Sequence, residues 1–297
     1  MTTSTPLPNH LVVVCGHGIW LGGLAHGHDE SEWLIESYKA GETPTFIEHI
    51  KAGVQALADD ERALVAFSGG PTREETPLSE ARSYANLAAA NGYFGFLPPE
   101  TETTTATTAT TAPHPLSPIP LHSRILVEEQ ALDSYYNILF SLVAFWRRVG
   151  TWPAHLTIVS HAFKRARLVD DHCGPHAIAL LPLEQRVSFI GINPPNIPAE
   201  FGGPSNKAPG TAAVVSEDKS KAMQGAHDVL SHWAADPHGT GDLLAGKRRA
   251  RNPWKYSQKL FVSNEERQRS GLATRQVGND MEAIAEDSPR PWNNASL

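Results

Sequence analysis

Residues able to bind or transform a charged small molecule lie directly after the short apolar runs of this sequence. They are Gly16, His17 and Gly18 after the first run; Ser68, Gly69 and Gly70 after the second, with Ser79 and Glu80 close behind; Glu128, Glu129 and Asp133 after the third; and Ser160, His161, Lys164, Arg165 and Arg167 after the fourth. Carboxylates and histidine move protons, glycine-rich turns let backbone amides approach an anion, and arginine binds phosphate through paired hydrogen bonds. We therefore predict one anion-binding crevice in which Glu80, Glu128 and His161 transfer protons. The glycines, the serines, His17, Asp133, Arg165 and Arg167 of the same set are the predicted ligand contacts.

Each of these clusters also has a structural interpretation, and the residues alone leave the choice open. The Ser-Gly-Gly segment 68–70 is as typical of a tight turn with a positive φ as of a phosphate-binding loop. The basic residues of 164–167 either bind an anion or form a solvated face. Glu128 and Glu129 point to opposite faces of an extended strand, so at most one of them reaches the crevice.

Two common catalytic arrangements are not favoured by the spacing. Ser68 and Ser160 each follow an apolar run, but neither has the glycine two residues earlier that the G-x-S-x-G nucleophile elbow requires. Of the 14 histidines, only those around His26 and those around His172 form local groups, and neither group has the spacing of a zinc motif. We therefore predict no metal ligand, and a serine hydrolase is the weaker alternative.

The apolar runs alternate with helical patterns through the first 195 residues. The runs lie at 11–15, 63–67, 125–127, 156–160 and 187–192. Apolar runs without polar alternation are typical of strands buried on both faces of a parallel sheet. The alternation predicts an α/β fold with a doubly wound, mostly parallel five-stranded sheet flanked by helices. Such sheets bind ligands outside the carboxyl ends of their strands, which is where the polar clusters fall.

Composition divides the chain at about residue 200. Residues 1–200 hold the alternating pattern, which a threonine- and proline-rich tract interrupts at about 98–120. We expect that tract to be disordered, because it has too few apolar residues to offset the entropy of ordering. Residues 201–297 are expected to form a C-terminal extension with one helix, a basic segment at 247–255 and a polar tail. We expect the basic segment to fold back near the crevice rather than to bind nucleic acid.

Charge and cysteine usage exclude several classes of protein. The net charge of -7 and the pI near 6.0 argue against a protein that coats nucleic acid or an anionic membrane. Two cysteines cannot form a disulfide framework. The longest apolar stretch, 138–146, is half of a membrane span, and the N-terminus has no signal-peptide pattern. We expect a cytoplasmic protein with neither a membrane partner nor a nucleic-acid partner.

Four segments resemble the domain-of-unknown-function 218 family, the YdcF-like proteins. The segments are LVVVCGHGIWLGG, LVAFSGGPTREETPLSEA, VEEQALDSYYN and LTIVSHAFKRAR, which together span about residues 10–195. Tyr136 stands where the family's helix start has a glutamate, and the run GKRRARNPW resembles the C-terminal extension of the fungal branch. The resemblance implies a Rossmann-like fold with a polar crevice. It also implies S-adenosylmethionine or a nucleotide as the class of ligand.

The function that we expect from these features is the binding of a small anionic ligand, phosphorylated or nucleotide-like, with hydrolysis or group transfer in the crevice. Two alternatives remain open because nothing in the sequence establishes a nucleophile. One is a module that binds a nucleoside or S-adenosylmethionine without turnover, and the other is a scaffold that binds a protein partner.

Overall fold

The structure is a computed structural model that describes residues 7–98, 121–195, 197, 217–278 and 280–295. In chain order the elements are β1 (His10–Cys15), β2 (Ile19–Trp20), β3 (Trp33–Leu34), α1 (Thr43–Asp59), β4 (Ala63–Ser68), α2 (Glu80–Ala90), β5 (Ile125–Glu128), α3 (Ser134–Val149), β6 (His155–Ser160), α4 (Leu183–Arg186), β7 (Val187–Gly191), α5 (Glu217–Ala235), α6 (Asp242–Ala250), α7 (Asn264–Ser270), β8 (Thr274–Val277) and β9 (Met281–Ile284). The threonine-rich tract predicted to be disordered lies, from residue 99 to 120, outside the described residues.

Five parallel strands form the central sheet in the order β5-β4-β1-β6-β7. The chain builds the sheet outward from β1 to β5 and then returns to the other side of β1 with β6 and β7, so the strand order reverses between β1 and β6. The register pairs Ser68 with both Cys15 and Glu128, which brings the carboxyl ends of three strands to one edge. This arrangement confirms the predicted Rossmann-like α/β fold.

The two faces of the sheet are covered by different helices. Val12 and Val14 of β1 point to the face on which α1 and α2 pack, and Leu11 and Val13 point to the face that α3 covers. All four side chains are fully buried, because alternate residues of a strand face opposite sides and both sides carry helices. The sheet is therefore doubly wound, as the apolar runs predicted.

Local capping sets where the helices that border the site begin. Asp133 precedes α3, and its side chain accepts a hydrogen bond from the backbone N–H of Tyr136. Ser79 precedes α2 and accepts one from the N–H of Arg82. Each cap satisfies an N–H group that the first turn of a helix leaves free. Both caps lie on the carboxyl side of the sheet, next to the polar clusters.

The prediction of one helix and a polar tail beyond residue 200 is wrong for the residues that the structure describes there. This part of the chain contains α5, α6 and α7, and an antiparallel hairpin of β8 and β9. Its few apolar residues are widely spaced but act as anchors: Leu260, Ile284 and Trp292 are fully buried in the core on the α3 face. Composition concealed them because the residues between them are polar.

Two other sequence expectations concern membrane crossing and the cysteines. No helix in the described ranges combines the length and the apolar character that a membrane crossing requires. Cys15 and Cys173 are free thiols, and both are buried.

Candidate ligand-binding site

A cavity of about 590 Å³ opens at the carboxyl edge of the sheet, beside the ends of β1 and β6. Because the strand order reverses between these strands, the cavity lies at the point where open α/β sheets bind ligands. Half of the sequence-predicted residues line it: Gly16, His17, Glu80, Asp133, Ser160, His161, Lys164 and Arg167. Gly18, Ser68, Gly69, Gly70, Ser79, Glu128, Glu129 and Arg165 do not belong to its lining.

The Ser-Gly-Gly turn after β4 uses its amides within the protein. The N–H of Gly69 donates to the carbonyl of Glu128 at 3.0 Å, and the N–H of Gly70 donates to that of Ala131 at 2.6 Å. Gly69 has a φ of +151°, and a Cβ there would lie 2.7 Å from a carboxylate oxygen of Glu80. Glycine is thus required by conformation and close packing. These contacts favour the tight-turn interpretation over an anion-binding loop.

Glu128 and Ser68 form a closed hydrogen-bonded pair beneath this turn. The Ser68 hydroxyl donates to Oε2 of Glu128 at 2.6 Å. The backbone N–H groups of Gln130 and Ala131 donate to Oε1 at 2.6 and 3.1 Å. Burial raises the pKa of Glu128 to about 7, although these hydrogen bonds oppose the shift. The carboxyl group is therefore engaged inside the protein, away from the cavity.

Glu80 is the predicted catalytic acid that does reach the cavity. It begins α2, and its Oε1 accepts a hydrogen bond from the Thr72 hydroxyl at 3.0 Å. Burial raises its pKa above the ordinary value, with Lys39 acting in the opposite sense. The neighbouring Ser79, which caps α2, donates its hydroxyl hydrogen to Glu129 at 2.8 Å. Glu129 therefore contacts the start of that helix. Glu80 thus presents a carboxyl group to the cavity, whereas Glu129 does not.

His17 and His161 lie against a third histidine, His49. The rings of His17 and His161 stack with centroids 4.2 Å apart, and the ring of His49 meets that of His161 edge-on at 5.0 Å. All three side chains are buried. Burial lowers the pKa of His49 to about 4 and holds those of His17 and His161 well below the usual value, with Lys164 adding to the effect. The three rings are therefore neutral at physiological pH.

Ser160 lies next to His17, and a serine hydrolase would need such a contact between its nucleophile and its base. The Oγ atom of Ser160 is 3.2 Å from Nε2 of His17. In a catalytic triad an acid orients the histidine and stabilises its charged form. Here the group at the other ring nitrogen is the amine of Lys164, with its Nζ 3.2 Å from Nδ1. A cation in that place opposes protonation of His17, so the pair lacks a competent base.

The basic side chains of segment 164–167 have different surroundings. Lys164 and Arg167 are partly buried along the cavity wall, whereas Arg165 is exposed and contacts Asp170 at 3.3 Å. Burial, and then the charge of Arg167, holds the pKa of Lys164 well below its usual value. Burial also lowers the pKa of Arg167, with Arg251 contributing. Arg165 therefore points away from the site that its two neighbours line.

The C-terminal extension supplies basic side chains to the cavity wall, namely Lys219 of α5 and Lys247, Arg248 and Arg251 of the basic segment 247–255. Of these, only Lys219 lies outside the segment that the sequence had singled out. Arg248 of α6 donates from Nε to Oδ2 of Asp133 at 2.7 Å, and its guanidinium lies 4.3 Å from the ring centre of Tyr136. Lys219 of α5 forms an ion pair with Glu42. The capping residue of α3 is thus tied to the extension, and part of the cavity wall is built from it.

Sequence reasoning missed Lys39, which lines the cavity, and His49, which lies behind His17 and His161. His49 lies between Phe46 and Ile50 on the buried face of α1, and a histidine within an apolar stripe was the available signal. Lys39 donates to the carbonyl of His17 at 2.6 Å and pairs with Glu36 at 2.7 Å. Nothing in its local sequence separates it from a solvated lysine, because its partners come from the fold.

Comparison with known proteins gives one distant similarity. The chain is 26% identical over 292 residues to the uncharacterized protein YOR238W of Saccharomyces cerevisiae. The alignment covers 88% of this chain and 91% of that protein, so the similarity extends into the residues beyond 200. No family model matches the chain, and no solved structure matches it. The similarity therefore spans most of both chains, and the name of that protein states no activity.

Proposed function

We propose that the cavity binds a small anion bearing a phosphate or a similar group, with Lys164 and Arg167 as its main contacts. The supporting observation is that the cations of the cavity wall differ in whether a carboxylate lies close enough to form an ion pair with them. Of the cations that line the cavity, three have a carboxylate partner: Lys39 with Glu36, Lys219 with Glu42, and Arg248 with Asp133. Arg73, Lys247 and Arg251 also line it, and the last two of these are exposed. Among the residues that the structure describes, neither Lys164 nor Arg167 has a carboxylate within the 4.0 Å of an ion pair.

Partly buried cations without an anion are costly, because protein surroundings solvate charge less well than water does. The lowered pKa values of Lys164 and Arg167 express that cost. Nε of Arg167 is moreover buried without a hydrogen-bond partner in the described structure. A bound oxyanion would supply both the missing charge and the missing acceptor.

The size of the cavity indicates the class of ligand. Its volume of about 590 Å³ is in the range of pockets for small molecules and cofactors. A nucleotide or another phosphorylated metabolite fits this volume and the charge of the wall. S-adenosylmethionine, which the YdcF-like resemblance implies, fits the volume but is matched to the two cations only through its carboxylate. We accordingly propose the phosphorylated class first.

Calorimetry on the full chain tests this proposal with inorganic phosphate, a nucleoside monophosphate and S-adenosylmethionine as probes. Arg167→Ala should weaken binding of the phosphorylated probes by about 10- to 100-fold, because a charge-assisted hydrogen bond is lost. Arg165→Ala is the matched control, two residues away and exposed, and should leave affinity unchanged. Absence of binding to the native chain, or equal losses in the two variants, would contradict the proposal.

We propose further that the protein converts its ligand to a product. Glu80 is the side chain best positioned to transfer a proton to or from that ligand. It lines the cavity, whereas Glu128 is closed off by Ser68 and two backbone N–H groups. The same probes assayed for product decide between an enzyme and a binding module. Product formation that Glu80→Gln abolishes supports the enzyme. Affinity without product supports the module.

The four YdcF-like segments support membership of that family, which we propose together with the function. All four segments contain residues that line the cavity: Gly16 and His17 in the first, Glu80 in the second, Asp133 in the third, and His161, Lys164 and Arg167 in the fourth. This coincidence of motif and cavity is what the proposed membership explains.

A further inference from the structure

A second feature of the cavity, independent of the proposed anion contacts, is the group of His17, His49 and His161. These residues come from the loop after β1, from α1 and from the loop after β6. One ring nitrogen of each lies within 4.8 Å of one from each of the other two. Their relative exposures are 5%, 0% and 2%, so the group is part of the interior and borders the cavity through two of its members.

Two of the three rings hold nitrogen atoms that the described protein leaves without a hydrogen bond. Nε2 of His49 lies 2.9 Å from the carbonyl oxygen of Ile192 and must donate to it, since a carbonyl only accepts. Its Nδ1 then carries a lone pair, is buried, and has no partner. Neither ring nitrogen of His161 has a hydrogen-bond partner. Buried polar atoms of this kind need a partner, and a bound ion is one group that can supply it.

We propose that His17, His49 and His161 bind a divalent transition-metal ion, for which zinc is the best chemical match. Neutral imidazole is the ligand that zinc shares with copper, iron and nickel, and three histidines leave a fourth position open toward the cavity. Zinc–nitrogen bonds of about 2.0–2.1 Å require the three nitrogens to approach one another more closely than they do here. Small side-chain rotations accomplish that.

Two of the three histidines have an oxygen acceptor near the ring nitrogen that would not bind the metal ion. Metal-binding histidines usually donate their other N–H to a carbonyl or a carboxylate, which fixes the ring. His49 does so to Ile192. His161 has Oε2 of Glu42 at 3.6 Å from its Nε2, close enough for that carboxylate to accept a hydrogen bond after a slight shift. The orientation of two ligands is thus supported in advance.

Lys164 is the contact that works against a metal ion. Its Nζ lies 3.2 Å from Nδ1 of His17, where an ammonium group would repel a second cation. A metal ion therefore requires the amine to turn away from His17. It follows that Lys164→Met should tighten metal binding, whereas the same substitution should weaken the binding of a phosphorylated probe. Because the substitution should change the two affinities in opposite directions, it tests the metal site and the anion site separately.

The experiment titrates the full chain, freed of metal by a chelator that is then removed, with Co²⁺ as a coloured probe and with Zn²⁺ as its competitor. We expect one equivalent of Co²⁺ to give the intense visible absorption of a four-coordinate site and Zn²⁺ to displace it. His49→Gln and His161→Gln should each raise the Kd by about 100-fold or more, since removing a ligand costs more than the 10- to 100-fold of an outer contact. His172→Gln is the control, a buried histidine that instead contacts Ser134 at 2.8 Å.

Thermal unfolding in the presence of chelator checks that each variant is folded, and His161→Cys restores a ligand if the glutamine variants are unstable. The proposal is overturned if the native chain binds no Co²⁺, or if His49→Gln, His161→Gln and His172→Gln bind it equally. Calorimetry with the phosphorylated probes is run in chelator. Anion binding without metal binding then rejects the metal site alone, and the reverse result rejects the anion site alone.

Discussion

Glu128 and Glu80 differ in what surrounds them, and that difference separates a structural acid from a candidate catalyst. Both are acids whose pKa values are raised by burial. Glu128 has its oxygens occupied by Ser68 and by two backbone N–H groups, whereas Glu80 faces the cavity with Thr72 as its hydrogen-bond partner. Sequence alone could not distinguish them, because both follow a strand and precede or begin a helix.

Glu128→Gln should change how stability depends on pH. The pKa of this carboxyl group is about 7 in the folded protein against an ordinary 4.5. Its contribution to the free energy of unfolding is therefore fully present below pH 4.5 and is lost as the pH rises through 7. Relative to Glu128→Gln, the native chain should lose about 3 kcal/mol of stability between about pH 5 and about pH 8.

Urea unfolding of both chains across that range measures the difference. The difference between the two free energies of unfolding removes the effect of the buried histidines, which is the same in both chains. Their pKa values are lowered, so their contribution to stability is lost as the pH falls. A difference that does not vary with pH would show that Glu128 titrates normally.

At the scale of elements, α1 approaches the sheet closely enough to place His49 against His17 and His161. Gly53 permits this approach, since a Cβ there would lie 2.3 Å from Cγ2 of Val14 in β1. The alternation of apolar runs with helical patterns predicted the strand at 11–15 and a helix before the next strand. It could not show which positions of the two elements touch, because a glycine in a helix is as compatible with exposure as with contact.

Gly53→Ala and Gly225→Ala should therefore have opposite effects on stability. At Gly53 the added methyl group pushes α1 from β1, and we expect a loss of about 1–3 kcal/mol from overpacking. Gly225 lies within α5, where an added Cβ would meet nothing within 4 Å, so alanine should stabilise the helix by about 0.5–1 kcal/mol. Thermal or urea unfolding measures both. A neutral Gly53→Ala would mean that α1 lies farther from the sheet than described.

At the scale of the whole molecule, the site depends on parts of the chain that are far apart in sequence. The alternation of strands and helices was sufficient to predict the sheet and the edge at which the site lies, because parallel strands bring their carboxyl ends together. It was not sufficient to predict that α5 would contribute Lys219 to the cavity, or that Arg248 of the basic segment would pair with Asp133. Those contacts depend on how the extension packs, and its anchors, such as Trp292, are isolated apolar residues. The cytoplasmic location and the ligand remain predictions.

The central claim, an anion held by Lys164 and Arg167 at the carboxyl edge of the sheet, is tested most directly by locating an oxyanion in crystals. Tungstate is a suitable probe because its metal gives a strong anomalous signal and its shape resembles phosphate. We predict an anomalous peak inside the cavity, within hydrogen-bond distance of the Lys164 amine and the Arg167 guanidinium, that disappears in crystals of Arg167→Ala. A peak that lies only outside the cavity, or one that persists unchanged in the variant, would contradict the account.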